Sequence, residues 1–192
     1  KLEISFNKSK NILNFKKINF SETKNNISVK NLALSDDFKI QSVDKINVNF
    51  LNKNGVKNDF KIKRISNSYN LNGNLIDGEK IVERLLNSDN KNKLSSLFDN
   101  INTSVIINLD RIYLEKNEYL NKFEGELDIK DNKLFPAKIN AILKNKNKFS
   151  YSFRTTTKDE KITNIFVEKP RPFINNYKFI KGFEEGELRL NS

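Results

Sequence analysis

Apolar and polar residues alternate with period two along most of the chain. Leu2, Ile4 and Phe6 stand against Lys1, Glu3, Ser5 and Asn7, and Ile27 and Val29 against Ser28 and Lys30. The same beat runs through Ile46, Val48 and Phe50; through Phe60 and Ile62; and through Tyr69, Leu71, Gly73 and Leu75. It returns at Val105, Ile107 and Leu109, at Phe123 to Ile129, at Ala137 to Leu143, at Phe149 to Phe153, at Ile165 and Val167, and at Leu188 and Leu190. Successive strand side chains point to opposite faces, so this pattern predicts strands with one apolar and one wet face. The long apolar runs of a parallel sheet buried on both sides are missing.

The connections read as turns. Lys53-Asn54-Gly55 carries a hairpin dipeptide, and Asp131-Asn132, Lys144 to Lys148 and Lys158-Asp159-Glu160 are short and polar. Short turns join antiparallel neighbours, so the expectation is a twisted antiparallel meander. Two stretches break the beat. After Asp77, a candidate N-cap, Ile81, Val82, Leu85, Leu86, Leu94, Leu97 and Phe98 fall at helical spacing. They predict short helices near 78–100. Pro170 and Pro172 precede Phe173, Ile174, Tyr177 and Ile180, which predict another near 171–181, with Gly182 as its cap. The expected organisation is one segment: strands over 1–76, a helical insert over 77–101, and a C-terminal meander with a short closing helix over 102–192.

Composition narrows the chemistry. The 192 residues contain no His, Cys, Met or Trp. That excludes Cys/His zinc sites, Ser–His–Asp triads, Cys–His nucleophiles and disulfides. Leu, Ile, Val and Phe number 19, 21, 7 and 15, enough for a folded chain. The longest apolar runs are three residues, such as Val105-Ile106-Ile107, far short of a membrane-spanning helix. The first residue is Lys1 rather than Met, which leads to the expectation of a segment from a longer protein.

The net charge is +11, from 35 Lys and Arg against 24 Asp and Glu. With 32 Asn and only 3 Ala, part of this basicity reads as the codon bias of an AT-rich genome. Nucleic-acid binders cluster basic residues with aromatics on one exposed face. Here lysines are spread over nearly every strand and aromatics occupy the apolar phase, so nucleic acid is not expected as a partner. The carboxylate pairs Asp36-Asp37, Asp159-Glu160 and Glu184-Glu185 lie in polar, turn-like contexts and read as solvated charges. No catalytic residue, metal ligand or cofactor is expected.

The apolar stripe is left, as a sandwich core or as the lining of a groove for an apolar ligand. Tyr69-Asn70-Leu71-Asn72-Gly73-Asn74-Leu75-Ile76-Asp77-Gly78, followed by a Leu-rich helical stretch, resembles a recurring pattern of the AsmA-like family, especially its YhdP-like branch. The strand candidates Thr103–Leu114, Phe123–Lys130, Leu134–Lys144 and Phe149–Thr157 follow in the family's order. The end, Phe179 to Leu190, is similar to its closing helix and Gly-x-x-x-Gly-x-Leu-x-Leu strand. The resemblance covers about residues 45–192. It implies the periplasmic part of an inner-membrane-anchored protein of Gram-negative bacteria. It also implies a non-catalytic segment of a bridge-like conduit that carries phospholipid between inner and outer membranes.

On that reading phospholipid acyl chains are the partners, together with flanking segments of the same chain, and the membrane is reached through parts outside this segment. The groove-lining residues are then Val105, Ile107, Leu109, Leu127, Ile129, Ile139, Ala141, Leu143, Phe149, Tyr151 and Phe153, with Asn108, Asp128, Asn140, Ser150 and Ser152 facing water. The alternative is a structural or interaction β domain supporting outer-envelope assembly.

Overall fold

In a computed structural model of the chain, residues 1–9, 11–79, 102–115, 118–130, 133–143, 146–156, 160–169 and 186–191 are described. They form thirteen strands: β1 (Leu2–Ser9), β2 (Ile12–Glu22), β3 (Asn25–Ser35), β4 (Ile40–Ser42), β5 (Lys45–Leu51), β6 (Lys57–Ile65), β7 (Ser68–Asp77), β8 (Thr103–Glu115), β9 (Glu118–Lys130), β10 (Lys133–Ile142), β11 (Lys148–Thr155), β12 (Lys161–Glu168) and β13 (Glu187–Asn191). All belong to one twisted, open sheet. Twelve follow in sequence order from β1 to β13, and the three-residue β4 pairs β3 off that path.

The meander is broken once. β7 and β8 run parallel, with Leu71 opposite Ile107 and Gly73 opposite Leu109. The other described pairings are antiparallel, so the sheet is mainly antiparallel as expected, with this pair as the exception to the meander. A parallel neighbour needs a crossover of a dozen or more residues, and the stretch between Asp77 and Thr103 has that length. The expected helices near 78–100 and 171–181 lie almost wholly outside the described residues. At the start of the first, Asp77 Oδ1 accepts a hydrogen bond from the Glu79 backbone N–H at 3.1 Å, the bond that an N-cap makes.

Local chemistry explains the turns. Asn52 Oδ1 accepts from the N–H groups of Asn54 and Val56 at 3.0 and 2.9 Å, and Gly55 takes φ 75°. An Asx side chain thus holds the β5–β6 turn, and glycine supplies the left-handed position. Thr23 and Ser66 have φ 44° and 54°, each opening a two-residue hairpin loop without glycine.

The core lies on one face of the C-terminal half. Ile76, Leu109, Leu114, Leu120, Phe123, Ala141, Leu143 and Val167 form one buried cluster. Leu109, Leu114, Leu143 and Val167 are at most 2% exposed. Burying a side chain of that size fully stabilises by roughly 1.5–3 kcal/mol.

Candidate functional site: the apolar face of the sheet

Register turns the alternation of single strands into rows that cross the sheet. One row reads Ile4, Ile18, Val29, Ile46, Ile62, Leu71, Ile107, Gly125, Ile139, Tyr151, Ile165 and Leu190, each paired with the next. It crosses twelve strands with no polar side chain other than the Tyr151 hydroxyl. A second row runs Leu2, Phe20, Ile27, Val48, Phe60, Gly73, Leu109 and Phe123. Ala141, Phe149, Val167 and Leu188 continue it beyond an irregularity in the β9–β10 pairing. The strand residue next to each apolar one points to the other face. There Asn19, Ser28, Asn47, Lys61, Asn72, Asn108, Glu124, Asn140 and Ser150 form the corresponding row.

The eleven residues expected to line an apolar surface all share one face. Val105 pairs with Leu127, Leu127 with Ala137, and Ala137 with Phe153. Ile129 pairs with Leu134, Ile139 with Tyr151, and Ala141 with Phe149. Leu109, Ala141 and Leu143 are 1%, 5% and 1% exposed and belong to the core cluster. Val105, Ile107, Leu127, Ile129, Ile139, Phe149, Tyr151 and Phe153 are half-buried. Burial pushes the Tyr151 phenol above its ordinary value. Asn108, Asp128, Asn140, Ser150 and Ser152 alternate with them on the opposite face, where Asn108 and Asn140 are exposed and the other three half-exposed.

Burial is graded across the face. Leu2, Ile4 and Phe6 on β1 are 62%, 51% and 63% exposed. Ile18, Val29, Ile46 and Ile62 on the next strands are half-buried. The most open part of the apolar row is therefore N-terminal, whereas the lining residues expected from the sequence are all C-terminal. Alternation marks both halves equally, because it reports which face a residue points to and not what covers it.

The opposite face carries few apolar side chains. Ile106 is 49% exposed, and Phe166 lies under the Arg189 guanidinium, 5.3 Å from ring centroid to Cζ. A depression of about 500 Å³ there is lined by Ser150, Ser152, Asn164, Phe166 and Arg189, among others.

Among the described residues no group of three or more Asp or Glu side chains is placed to hold a metal. Of the carboxylate pairs, Glu184-Glu185 and Asp159 lie outside the described residues. Asp37 takes an ion pair from Lys39 at 2.7 Å and a hydrogen bond from the Ser35 hydroxyl. Its carboxyl is held below the usual range, first by the Lys39 bond and then by Ser35. A carboxylate kept anionic and exposed is poorly suited to deliver a proton near neutral pH.

No protein-family model matches the chain, and neither a curated protein nor a solved structure is significantly similar to it.

Proposed function

We propose that this chain is a non-catalytic lipid-carrying segment whose apolar sheet face takes phospholipid acyl chains. The carrying observation is the apolar row from Ile4 to Leu190, unbroken across twelve strands of a single open sheet and half-open to solvent in its N-terminal part. Each methylene moved from water onto such a face gains about 0.8 kcal/mol, and a headgroup can stay in solvent at the margin. Many similar Ile, Leu, Val and Phe side chains give no deep site, which suits passage better than storage. The resemblance to the AsmA-like family supports the same reading, as a periplasmic stretch of an inner-membrane-anchored conduit between the two membranes.

A second reading, a structural or interaction β domain, is favoured by the C-terminal half, where Leu109, Leu143 and Val167 already pack in the protein's own core.

Photocrosslinking separates the two. A photoreactive residue is placed at Ile18, Ile62 or Ile139 on the apolar face, and at Asn47 or Asn140 on the other. With phospholipid vesicles, the conduit reading expects lipid adducts from the first three positions and none from the last two. Equal labelling of both faces, or none from Ile18 and Ile62, leaves the structural reading.

A further inference from the structure

On the polar face, Lys17 pairs with Lys30, Lys30 with Lys45, and Lys45 with Lys63. Four lysines on β2, β3, β5 and β6 therefore stand side by side. Neighbouring strands are 4.7–4.9 Å apart, so the line is roughly 14 Å long. Like charges directly opposite one another destabilise a sheet, and here three such pairs occur in succession. Edge protection does not account for them, because β2, β3, β5 and β6 are all interior strands.

Three of these charges are not neutralised in place, whereas Lys17 also feels the Glu3 carboxylate. Among the described residues, Lys30, Lys45 and Lys63 have no carboxylate within ion-pair distance. Asp44, next to Lys45 in the chain, accepts a hydrogen bond from Asn31 Nδ2 at 2.7 Å. Glu3 is paired with Lys1 at 2.7 Å. Residues 1–77 hold 14 Lys and Arg against 7 Asp and Glu, so +7 of the chain's +11 falls in this part of the sequence.

The surroundings narrow the partner. Lys30, Lys45 and Lys63 line a depression of about 500 Å³ with Asn31, Asp44, Arg64 and Ser66, and no aromatic ring is among them. Single-stranded nucleic acid is usually gripped by base stacking on aromatics. Beside the lysines runs the row Asn19, Ser28 and Asn47, uncharged until it reaches Lys61 on β6, with Asn47 Nδ2 donating to Ser28 Oγ at 2.8 Å. An anionic bilayer presents a plane of charge, whereas on β2, β3 and β5 these lysines form one line flanked by uncharged side chains, and only on β6 does a second lysine, Lys61, stand beside it. All four are Lys, which acts as a point charge and lacks the fork of Arg that selects one phosphate geometry.

We infer that the lysine line binds an acidic polysaccharide laid across strands β2 to β6. The glycan carboxylates that face the sheet meet the lysines along this line, and those turned away stay in solvent. The sugar hydroxyls meet the flanking Asn and Ser side chains. This site is on the face opposite the apolar row and does not rest on the lipid reading. Consistent with crowding of like charge, Lys45 is held below the ordinary lysine range, first by Lys61, then by partial desolvation and by Lys30 and Lys63.

The test titrates the whole chain with an oligouronate, a neutral glucan oligomer, oligo(dT) and phosphatidylglycerol vesicles, at low and high salt. The expected result is that the oligouronate binds most tightly, weakens with salt, and raises the melting temperature, while the neutral oligomer does neither. K30Q/K45Q/K63Q should lower that affinity by about tenfold or more. K24Q/K53Q, two turn lysines outside the line, should leave it unchanged. Circular dichroism checks that both variants fold. Equal oligouronate affinity in K30Q/K45Q/K63Q overturns the inference, and so does binding of oligo(dT) or vesicles as tight as that of the oligouronate.

Discussion

Asn31 and Lys122 take the same left-handed backbone conformation, φ 49° in each, at matching places in two separate strand pairs. In β2–β3 the register runs Phe15↔Leu32 and then Lys17↔Lys30; in β8–β9 it runs Leu109↔Phe123 and then Arg111↔Asn121. Past each point the apolar phase resumes three residues on, at Ile18 and Val29 and at Ile112 and Leu120. Both strands of a pair step together, so the pairing survives and the apolar side chains return to the same face. Asn tolerates this conformation through local hydrogen bonding, and Lys does not. Lys122→Gly is therefore expected to stabilise by about 0.5–1 kcal/mol, and Asn31→Gly to be nearly neutral, by urea unfolding.

Gly73 and Gly125 both sit in apolar rows, yet they differ in room. A Cβ at Gly73 would meet the Asp59 carbonyl oxygen and lie 2.6 Å from Phe60 Cα, both backbone atoms of β6 opposite the extra residue that β7 carries between Gly73 and Leu75. A Cβ at Gly125 would touch Ile107 at 3.5 Å, an ordinary contact. Gly73→Ala should lose about 2–3 kcal/mol, and Gly125→Ala less than about 1 kcal/mol, in the same unfolding assay.

The graded burial of the apolar face predicts graded truncation costs. Leu109→Ala opens a cavity in the core and should cost about 3 kcal/mol. Ile4→Ala, at a side chain already 51% exposed, should cost about 1 kcal/mol or less. Equal losses at the two sites would mean that the face is covered alike at both ends.

Lys45→Gln should raise the melting temperature by about 1–3 °C at low salt, because it removes like charge from the middle of the lysine line. At 1 M salt the Debye length falls to about 3 Å, and the gain should largely vanish. The pH dependence has a definite sign. The folded pKa of Lys45 lies below the ordinary 10.5, so just below that value the unfolded chain binds more protons. Stability from this group therefore rises with pH through that window, and thermal melts of the parent against Lys45→Gln should converge there.

Tyr151 works in the opposite sense. Its folded pKa is raised above the ordinary 10.0 by burial, so the folded state keeps a proton that the unfolded state has lost. Its contribution is fully present below that value and is lost as pH rises beyond it. Tyr151→Phe should flatten the fall in stability above pH 10, followed by thermal melts. Phenolate absorbance should place the parent's tyrosine titration above the ordinary value.

Alternation along the chain determines which residues are strands and which side chains share a face. It does so because a strand's period of two is local, carried by neighbours one and two residues apart. Val105, Ile107 and Leu109 can be assigned together from that alone, as can the turn at Asn54-Gly55, whose backbone sign only a few residue types accept. Local pattern carries no record of which strand pairs with which, or in what direction. The parallel pairing of β7 with β8 is decided by where the chain re-enters the sheet after a long crossover. Lys17, Lys30, Lys45 and Lys63 lie on four strands, separated in the sequence by two hairpin turns and by the stretch that holds β4. They become one line only because the register pairs each with the next. The contrast between buried Leu109 and exposed Ile4 is likewise tertiary, since both occupy the same phase of the same pattern. What differs is whether other side chains pack over them, and that depends on residues far away in the chain.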